Sequence, residues 1–319
     1  MRELTILKQQ PPFAGIRTFM KLPHTNDLEN VDFAVIGVPF DTGAGYAVGT
    51  RFGPAAIREM SQRLRPINPA LNMIELSKYM NGIDYGDLTV HPGYIEYSYE
   101  EIEAQLEPIF EKGIIPILLG GDHSVSLPHI RAAAKKYGPV SLVHFDAHSD
   151  TWRSDDPKKK YSHANMFSLG ADEGVIDPHT SIQMGMRGGG PNPDFESSIA
   201  LGYEVLSTDD VKKLTVSELC EKVKQRVKNR PVFLTFDVDF LDPVYAPGTG
   251  TPEVGGFTTY EAMQMIRGIC GINIIGFDIV ETLPDRDPAK VTALNAATIT
   301  HQVLSIIAMK KSAEIEAIV

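Results

Sequence analysis

The chain of 319 residues contains little cysteine and comparatively little basic charge. Its two cysteines, Cys220 and Cys270, do not provide a disulfide framework, and such low cysteine use is typical of a reducing cytoplasm. Lysine and arginine number 30 against 41 aspartate and glutamate residues, so the net charge is −11. A negative surface repels nucleic-acid phosphates. We therefore expect a cytoplasmic protein without a nucleic-acid partner.

Long apolar runs are also missing. No run approaches the length of about 20 apolar residues that spans a bilayer, and residues 1–8 lack the apolar core of a secretory signal. Hydrophobic residues still make up 43% of the chain and charged residues 22%, which is ordinary for a globular enzyme. No low-complexity linker or internal repeat divides the sequence. We expect one domain over residues 1–319 and no membrane partner.

Short apolar runs alternate with helix-like segments along the chain. The strand-like runs are 33–38, 114–119, 140–145, 182–186, 232–236 and 274–280, and the helix-like segments are 55–64, 99–112, 127–137, 216–228, 259–267 and 295–311. This alternation predicts a three-layer α/β fold, in which a parallel β-sheet is covered by helices on both faces. In the last helix, Ile299, Val303, Ile306 and Ile307 form one stripe that core packing explains.

Polar segments directly follow three of the predicted strands, at residues 120–124, 146–150 and 237–239. Because the carboxyl ends of parallel strands meet at one edge of a sheet, these segments should converge. They carry two histidines and four carboxylates: His123, Asp146, His148, Asp150, Asp237 and Asp239. If strand geometry continues, side chains two residues apart leave on the same side. His144, which lies inside the strand, is predicted to face away from these ligands.

Six such side chains exceed the usual needs of one catalytic zinc, which takes three protein ligands and a water. Two divalent ions about 3.5–4 Å apart would use all six, since carboxylates can bridge them. Imidazole with several carboxylates and no thiolate suits Mn²⁺. Each segment alone is weak evidence, because a turn or a helix cap has the same pattern. All three at successive strand ends predict a dinuclear metal site.

Further segments carry a family resemblance. Gly43, Gly45 and residues 49–58 resemble the N-terminal signature of the ureohydrolase (arginase–agmatinase) family, and residues 237–256 resemble its most distinctive block. Residues 162–163 are similar to its flexible-loop histidine, and 277–281 with 283–287 to its last active-site strand. The similarity extends from near residue 15 to near residue 310 and is strongest to the agmatinase branch. It implies an arginase-like sheet, two Mn²⁺ per subunit and a homo-oligomer, either a trimer or a hexamer.

The resemblance also implies the role of each ligand. One metal would be bound by His123, Asp146, Asp150 and Asp237, and the other by His148, Asp146, Asp237 and Asp239. A hydroxide held between the two cations would attack the central carbon of a guanidinium group, and urea and a primary amine would be released. Asp150 would carry the proton to the departing nitrogen.

Four residues are candidates for handling the substrate. His163 is the expected proton shuttle, because an imidazole pKa near 6.5 allows transfer in both directions. Glu281 is expected to bind the guanidinium through two parallel hydrogen bonds, and Thr251 is a secondary contact. Trp152 lies in the loop expected near the substrate tail, where arginases have an asparagine, so arginine is disfavoured as substrate. Residues 164–167 depart from the Gly-Thr that usually follows the loop histidine.

The tail of the substrate is the open question: agmatine, cleaved to putrescine and urea, is the expected substrate, and a guanidino acid is the alternative. Family prevalence and the acidic pair Asp155 and Asp156 favour the ammonium of agmatine, whereas the lysines at 158–160 favour the carboxylate of 4-guanidinobutyrate or 3-guanidinopropionate. Two other classes of function compete with this one. A non-catalytic regulatory relative would be expected to have lost ligands, and none of the six is missing here. A deacetylase-type hydrolase would use a single zinc and fewer ligands.

Overall fold

A computed structural model describes residues 11–156, 158–188 and 195–317. Its strands are β1 Phe33–Gly37, β2 Ile67–Asn68, β3 Ile74–Glu75, β4 Gly82–Asp87, β5 Ile115–Leu119, β6 Ser141–Phe145, β7 Ile182–Met186, β8 Glu204–Ser207, β9 Val232–Asp237 and β10 Ile274–Val280. Eight of these strands form one parallel sheet in the order β4-β1-β5-β10-β9-β6-β7-β8, while β2 and β3 form a small antiparallel ribbon.

Helices cover both faces of this sheet. They are α1 Gly53–Ser61, α2 Leu76–Tyr79, α3 Ile95–Glu111, α4 Ser126–Tyr137, α5 Met166–Asp172, α6 Glu196–Leu201, α7 Thr208–Lys213, α8 Val216–Val227, α9 Thr259–Gly268 and α10 Val291–Glu316. Alternate residues of β5 show the two layers. Ile117 and Leu119 pack in a cluster with α8, α9 and α10, while Leu118 packs with α3 and α4. The predicted three-layer α/β fold is confirmed.

All six predicted strands lie in the sheet, but two further strands were missed. Strand β4 contains two glycines and two aspartates, and β8 has only four residues, all of them half-buried. Both lie at the edges of the sheet, where each pairs with a single neighbour. Glycine and aspartate are depleted in strands, so β4 depends on its pairing with β1 more than on its own composition.

Local sequence accounts well for where several helices begin. Thr258 forms a capping box with Glu261, in which each side chain satisfies a backbone N–H at the start of α9. Thr215 and Glu218 form the same arrangement at the start of α8. Such reciprocal bonds satisfy N–H groups that the helix itself cannot pair.

Helix α10 is the central helix of one layer. Its predicted apolar stripe is buried, with Ile299 and Val303 fully inaccessible to solvent. By length and composition this helix could cross a membrane, yet 78% of its apolar stretch of 18 residues is buried inside the fold. Burial in the core therefore accounts for its apolar composition.

One histidine of α10 should make stability depend on pH. His301 is 6% exposed, and burial lowers the pKa of its imidazole to about 4, with the nearby Arg267 charge acting in the same direction. An unfolded histidine has the ordinary value of 6.5. Below pH 6.5 the unfolded chain therefore binds a proton that the folded chain does not bind. Folding stability falls as the pH decreases, by about 1.4 kcal/mol per pH unit.

We expect His301→Gln to remove this dependence. Between pH 7.5 and pH 5.0 the variant should lose about 2 kcal/mol less unfolding free energy than the unchanged protein. Urea denaturation in chelator at both pH values measures this difference without any contribution from metal. His179→Gln, at an exposed position, is the control and should follow the unchanged protein. Equal pH dependence with and without His301 would contradict the prediction.

Four adjacent strands at the centre of the sheet position the polar segments. In the order β5-β10-β9-β6, their carboxyl ends lead directly to His123, Glu281, Asp237 and Asp146. The crevice at the carboxyl edge of a parallel sheet is the usual place for a ligand site.

Candidate metal centre and guanidinium site

Tight turns, rather than continued strands, bring the carboxylates together. Asp146 follows the end of β6 and accepts the N–H of His148 on its Oδ1 at 2.6 Å, and Asp237 Oδ1 accepts the N–H of Asp239 at 2.8 Å. Asp150 then has a left-handed φ of 52°. The predicted strand alternation therefore stops before these segments. The turns leave the second oxygen of Asp146 and Asp237 directed toward the cluster.

The first group of ligand atoms surrounds the Nδ1 atom of His123. This atom lies 2.9 Å from Asp150 Oδ2, 3.0 Å from Asp146 Oδ2 and 3.4 Å from Asp237 Oδ2, yet it has no hydrogen bond of acceptable geometry. The other ring nitrogen, Nε2, lies 2.8 Å from Thr235 Oγ1. When Nε2 carries the proton and donates it to Thr235, Nδ1 directs a lone pair toward three carboxylates. A cation among these atoms would make that arrangement favourable.

A second group adjoins the first through Asp146. His148 Nδ1 lies 3.1 Å from Asp239 Oδ2 and 3.5 Å from Asp146 Oδ1. Within each of two groups, one containing His123, His144, Asp146 and Asp150 and the other Asp146, His148 and Asp239, the potential ligand atoms lie within 4.8 Å of one another. Asp146 belongs to both, as a bridging carboxylate would. Asp237 belongs to neither at this distance, although it approaches His123.

The electrostatics of the cluster also fit cations. Burial, together with the charges of Asp239 and Asp146, raises the pKa of Asp237 well above its usual value, and burial raises the pKa of Asp239 to about 6. Burying carboxylates without compensation is expensive. When all four are ionised, Asp146, Asp150, Asp237 and Asp239 carry four negative charges, which two divalent cations would balance. The oxygen-rich donor set with two imidazoles is chemically suited to such ions.

The prediction for His144 was wrong. Its Nε2 lies 2.8 Å from Asp146 Oδ2, its Nδ1 accepts from Gln183 at 3.1 Å, and the residue is fully buried. Residues 144 and 146 are two apart, so alternation along β6 places both on the same side of the strand. His144 therefore orients a candidate bridging carboxylate.

Glu281 lies beside this cluster with one oxygen free. Its Oε1 accepts the backbone N–H of His123 at 2.9 Å, whereas Oε2 is buried and has no hydrogen-bond partner among the described residues. The residue is 1% exposed and has a left-handed φ of 63°, which is costly for a residue with a side chain and is found preferentially at functional sites. Such a buried, unpaired carboxylate oxygen is suited to accept from a cationic donor group.

His163 contacts the same oxygen of Glu281 that accepts the His123 N–H. Its Nδ1 lies 2.9 Å from Glu281 Oε1, and its Nε2 accepts the N–H of Gly45 at 2.9 Å. The Gly45 bond requires a lone pair on Nε2, so the ring is neutral in this arrangement and carries its proton on Nδ1. Burial opposes charging of the ring, but the Glu281 charge outweighs it and raises the pKa of His163 to about 9. Protonation must therefore break the bond to Gly45.

Thr251 and Trp152 contact the candidate site less closely than Glu281 and His163 do. Thr251 Oγ1 donates to Asp239 Oδ2 at 3.4 Å, so its hydroxyl contacts a candidate metal ligand. The neighbouring Gly250 approaches Glu281, since a Cβ placed on it would lie 3.4 Å from Oε2. Trp152 donates its backbone N–H to the backbone oxygen of Ala164 at 2.9 Å, and its side chain is half-buried. In the described ranges no hydrogen bond joins its indole to the other site residues.

Arg187 is a half-buried residue beside the cluster that sequence reasoning missed. Its Nη2 donates to the backbone oxygens of Asp239 at 2.5 Å and Glu253 at 3.0 Å, and its Nη1 donates to Gly185 O at 3.1 Å. It therefore joins the end of β7 to two loops that border the cluster. The available signal was its position directly after the last residue of β7, beside the strand that leads to Asp146.

A model of the arginase family matches residues 31–305. The chain belongs to the arginase family. The guanidinobutyrase of Pseudomonas aeruginosa is 38% identical over 303 residues, covering 94% of each chain. The agmatinase of Cronobacter sakazakii is 40% identical over 296 residues, covering 91% of each. The structure of a hypothetical agmatinase from Burkholderia thailandensis superposes with a TM-score of 0.88 at 37% identity, covering 95% of this chain and 94% of that one. The predicted ureohydrolase resemblance and the arginase-like sheet are thereby confirmed.

Proposed function

We propose that the protein is a two-metal amidinohydrolase that cleaves a guanidino compound into urea and a primary amine. The charge balance of the site carries this proposal. The four carboxylates of the cluster match two divalent cations, and the free oxygen of the buried Glu281 is then available for the single positive charge of a guanidinium. A guanidinium is planar and binds a carboxylate through two parallel hydrogen bonds.

We propose Mn²⁺ as the metal, with two ions per subunit. His123, Asp146, Asp150 and Asp237 would hold one ion, and His148, Asp146, Asp237 and Asp239 the other. Carboxylates with imidazole and no thiolate favour Mn²⁺ over softer ions. When bound, such a pair of ions lowers the pKa of water so that a nucleophile is available at neutral pH.

The residues around the cluster would bind the guanidinium and transfer protons. Glu281 would orient the guanidinium, with Thr251 contributing a hydroxyl at the adjacent ligand Asp239. Asp150, whose Oδ2 lies in the first ligand group, would take a proton from the attacking water and pass it to the departing nitrogen. His163 would exchange protons with solvent, because it is 14% exposed and touches the carboxylate of Glu281.

Agmatine and a guanidino acid are both compatible with the relatives, which include an agmatinase and a guanidinobutyrase at similar identity. The site that binds the guanidinium is common to both substrates. The tail of the substrate, where Trp152 and the loop that follows it are expected to lie, decides between an ammonium and a carboxylate.

We also propose that residues 1–319 act as one domain in the cytoplasm and assemble into a homo-oligomer, a trimer or a hexamer. The uninterrupted family match over residues 31–305 supports the single domain, and the sparse cysteine supports the cytoplasm. The family resemblance alone supports the oligomer. Partners other than a small guanidino substrate are not expected.

A urea-release assay tests the proposed function. Protein loaded with Mn²⁺ is incubated with agmatine, 4-guanidinobutyrate, 3-guanidinopropionate or arginine, and metal content is measured by mass spectrometry on the same sample. We expect two manganese ions per chain and urea from at least one of the first three substrates. Chelator-treated protein is the control. One zinc per chain would favour the deacetylase-type alternative, and two metals without urea would favour the non-catalytic one.

A further inference from the structure

Arg286 presents a cationic group beside Gly250, the residue that approaches Glu281. It is exposed, its guanidinium carbon lies 5.6 Å from the centre of the Tyr46 ring, and its Nη1 donates to Gly250 O at 3.5 Å. In the described parts of the chain no carboxylate forms an ion pair with it, whereas the neighbouring Lys290 is paired with Glu59 at 2.7 Å. Arg286 therefore has donors available for a further partner.

Both groups that Arg286 contacts belong to segments that lie beside Glu281 or His163. Gly250 is the residue that approaches Glu281 Oε2, and Tyr46 follows Gly45, whose N–H bonds to His163. Contact between the guanidinium and the ring of Tyr46 orients the guanidinium without using its hydrogen-bond donors. The geometry thus holds an oriented cation beside the place where a guanidino substrate would enter.

We propose that Arg286 binds a carboxylate at the tail of the substrate, so that the enzyme acts on short guanidino acids. This inference rests on the proposed function and specifies its substrate class. An arginine and a carboxylate form two parallel hydrogen bonds, which fix the orientation of both groups. The ammonium of agmatine would instead meet a like charge at this position.

Gly250 places Arg286 and Glu281 close enough for one small molecule to contact both. Arg286 Nη1 lies 3.5 Å from Gly250 O, and the Cβ position of Gly250 lies 3.4 Å from Glu281 Oε2. Since the oxygen and Cβ position of one residue are about 3 Å apart, the two groups are separated by at most about 10 Å. Guanidino acids with two or three methylenes extend about 5 to 6 Å between their end carbons. A hydrogen bond of about 2.8 Å at each end brings the total to about 11 Å or more, so the exposed Arg286 side chain would move outward to bind the carboxylate of an extended substrate.

Two other carboxylates, Glu253 and Asp287, have partners of their own. Glu253 Oε1 lies 3.6 Å from His148 Nε2, so this carboxylate is already associated with a histidine on the metal side. Asp287, next to Arg286, is buried and accepts the N–H of Ala293 at 3.0 Å. Neither carboxylate neutralises Arg286.

The test compares substrate preference in Arg286→Gln, Arg286→Glu and the control Arg63→Gln, an exposed arginine at the end of α1. In Mn²⁺-loaded protein we expect 3-guanidinopropionate or 4-guanidinobutyrate to be preferred over agmatine. Arg286→Gln should lower kcat/KM for the acids by about 10- to 100-fold, mainly through KM, and leave agmatine unchanged or improved. Arg286→Glu should shift the preference toward agmatine, and Arg63→Gln should change neither substrate.

Substrate binding in a variant that does not turn over provides a second measurement. In the Asp237→Asn background, calorimetric titration with 4-guanidinobutyrate should show weaker binding when Arg286 is also replaced. Equal effects of Arg286→Gln on acid and amine substrates, or no effect on either, would overturn the role of Arg286. A lack of urea from every guanidino substrate in the unchanged protein would instead overturn the proposed function, so the two failures are distinguishable.

Discussion

Replacing Asp237 with asparagine is expected to remove nearly all hydrolytic activity, by about three orders of magnitude or more, and to lower the occupancy of both metals. Asparagine can still accept the N–H of Asp239, so the turn should persist. It cannot neutralise a cation, and the crowded cluster loses one of its four carboxylates. Activity is measured by urea release, and metal content by mass spectrometry after dialysis.

The same substitution should have the opposite effect on the metal-free fold. Burial and the neighbouring carboxylates raise the pKa of Asp237, which means that its charge is unfavourable there. The metal-free variant should therefore unfold at the same temperature as the unchanged protein or at a higher one, and it should gain less from added Mn²⁺. Asp242→Asn, in the following turn, is the matched control and should retain both metals. Full activity with two bound metals in Asp237→Asn would contradict the assignment.

Replacing Glu281 with glutamine is expected to separate substrate binding from metal binding. Glutamine can keep the bond from the His123 N–H, but it presents an amide to the guanidinium and lacks the negative charge. Losing one partner of a buried charged pair costs about 3–5 kcal/mol, so kcat/KM should decrease by about 10²- to 10⁴-fold. Both metals should remain bound.

Steady-state kinetics and metal analysis on one preparation check this prediction. Glu253→Gln is the control, because it removes a carboxylate that contacts His148 and is one-third exposed. That variant should lose far less activity. If Glu281→Gln lost its metals together with its activity, the guanidinium role would have to be abandoned.

The central part of the fold could be predicted because it depends on local patterns. Buried parallel strands require apolar runs, and β5, β6, β9 and β10 have them. The edge strands β4 and β8 lack such runs, and pairing with a neighbour that is distant in sequence makes them strands. Periodicity cannot reveal pairing of this kind.

The candidate ligands were predicted together, but the geometry that unites them was predicted incorrectly. Strand alternation was expected to align residues 146–150, whereas a turn closed by the Asp146 side chain aligns them. His144 was excluded although alternation places it with Asp146, and the structure shows their contact. The order of residue types was informative even where the assumed backbone conformation was not.

The sequence by itself determined the donor set, which consists of two imidazoles and four carboxylates that follow strands of one parallel sheet. This could be predicted because residue types and their local spacing are properties of the sequence itself. The tertiary structure alone decided the free oxygen of Glu281, the bond between His163 and Gly45, and the position of Arg286 between Tyr46 and Gly250. Each of these depends on contacts between segments far apart in the chain. Burial and pairing arise only when the whole sheet and its loops are assembled, so no local pattern encodes them.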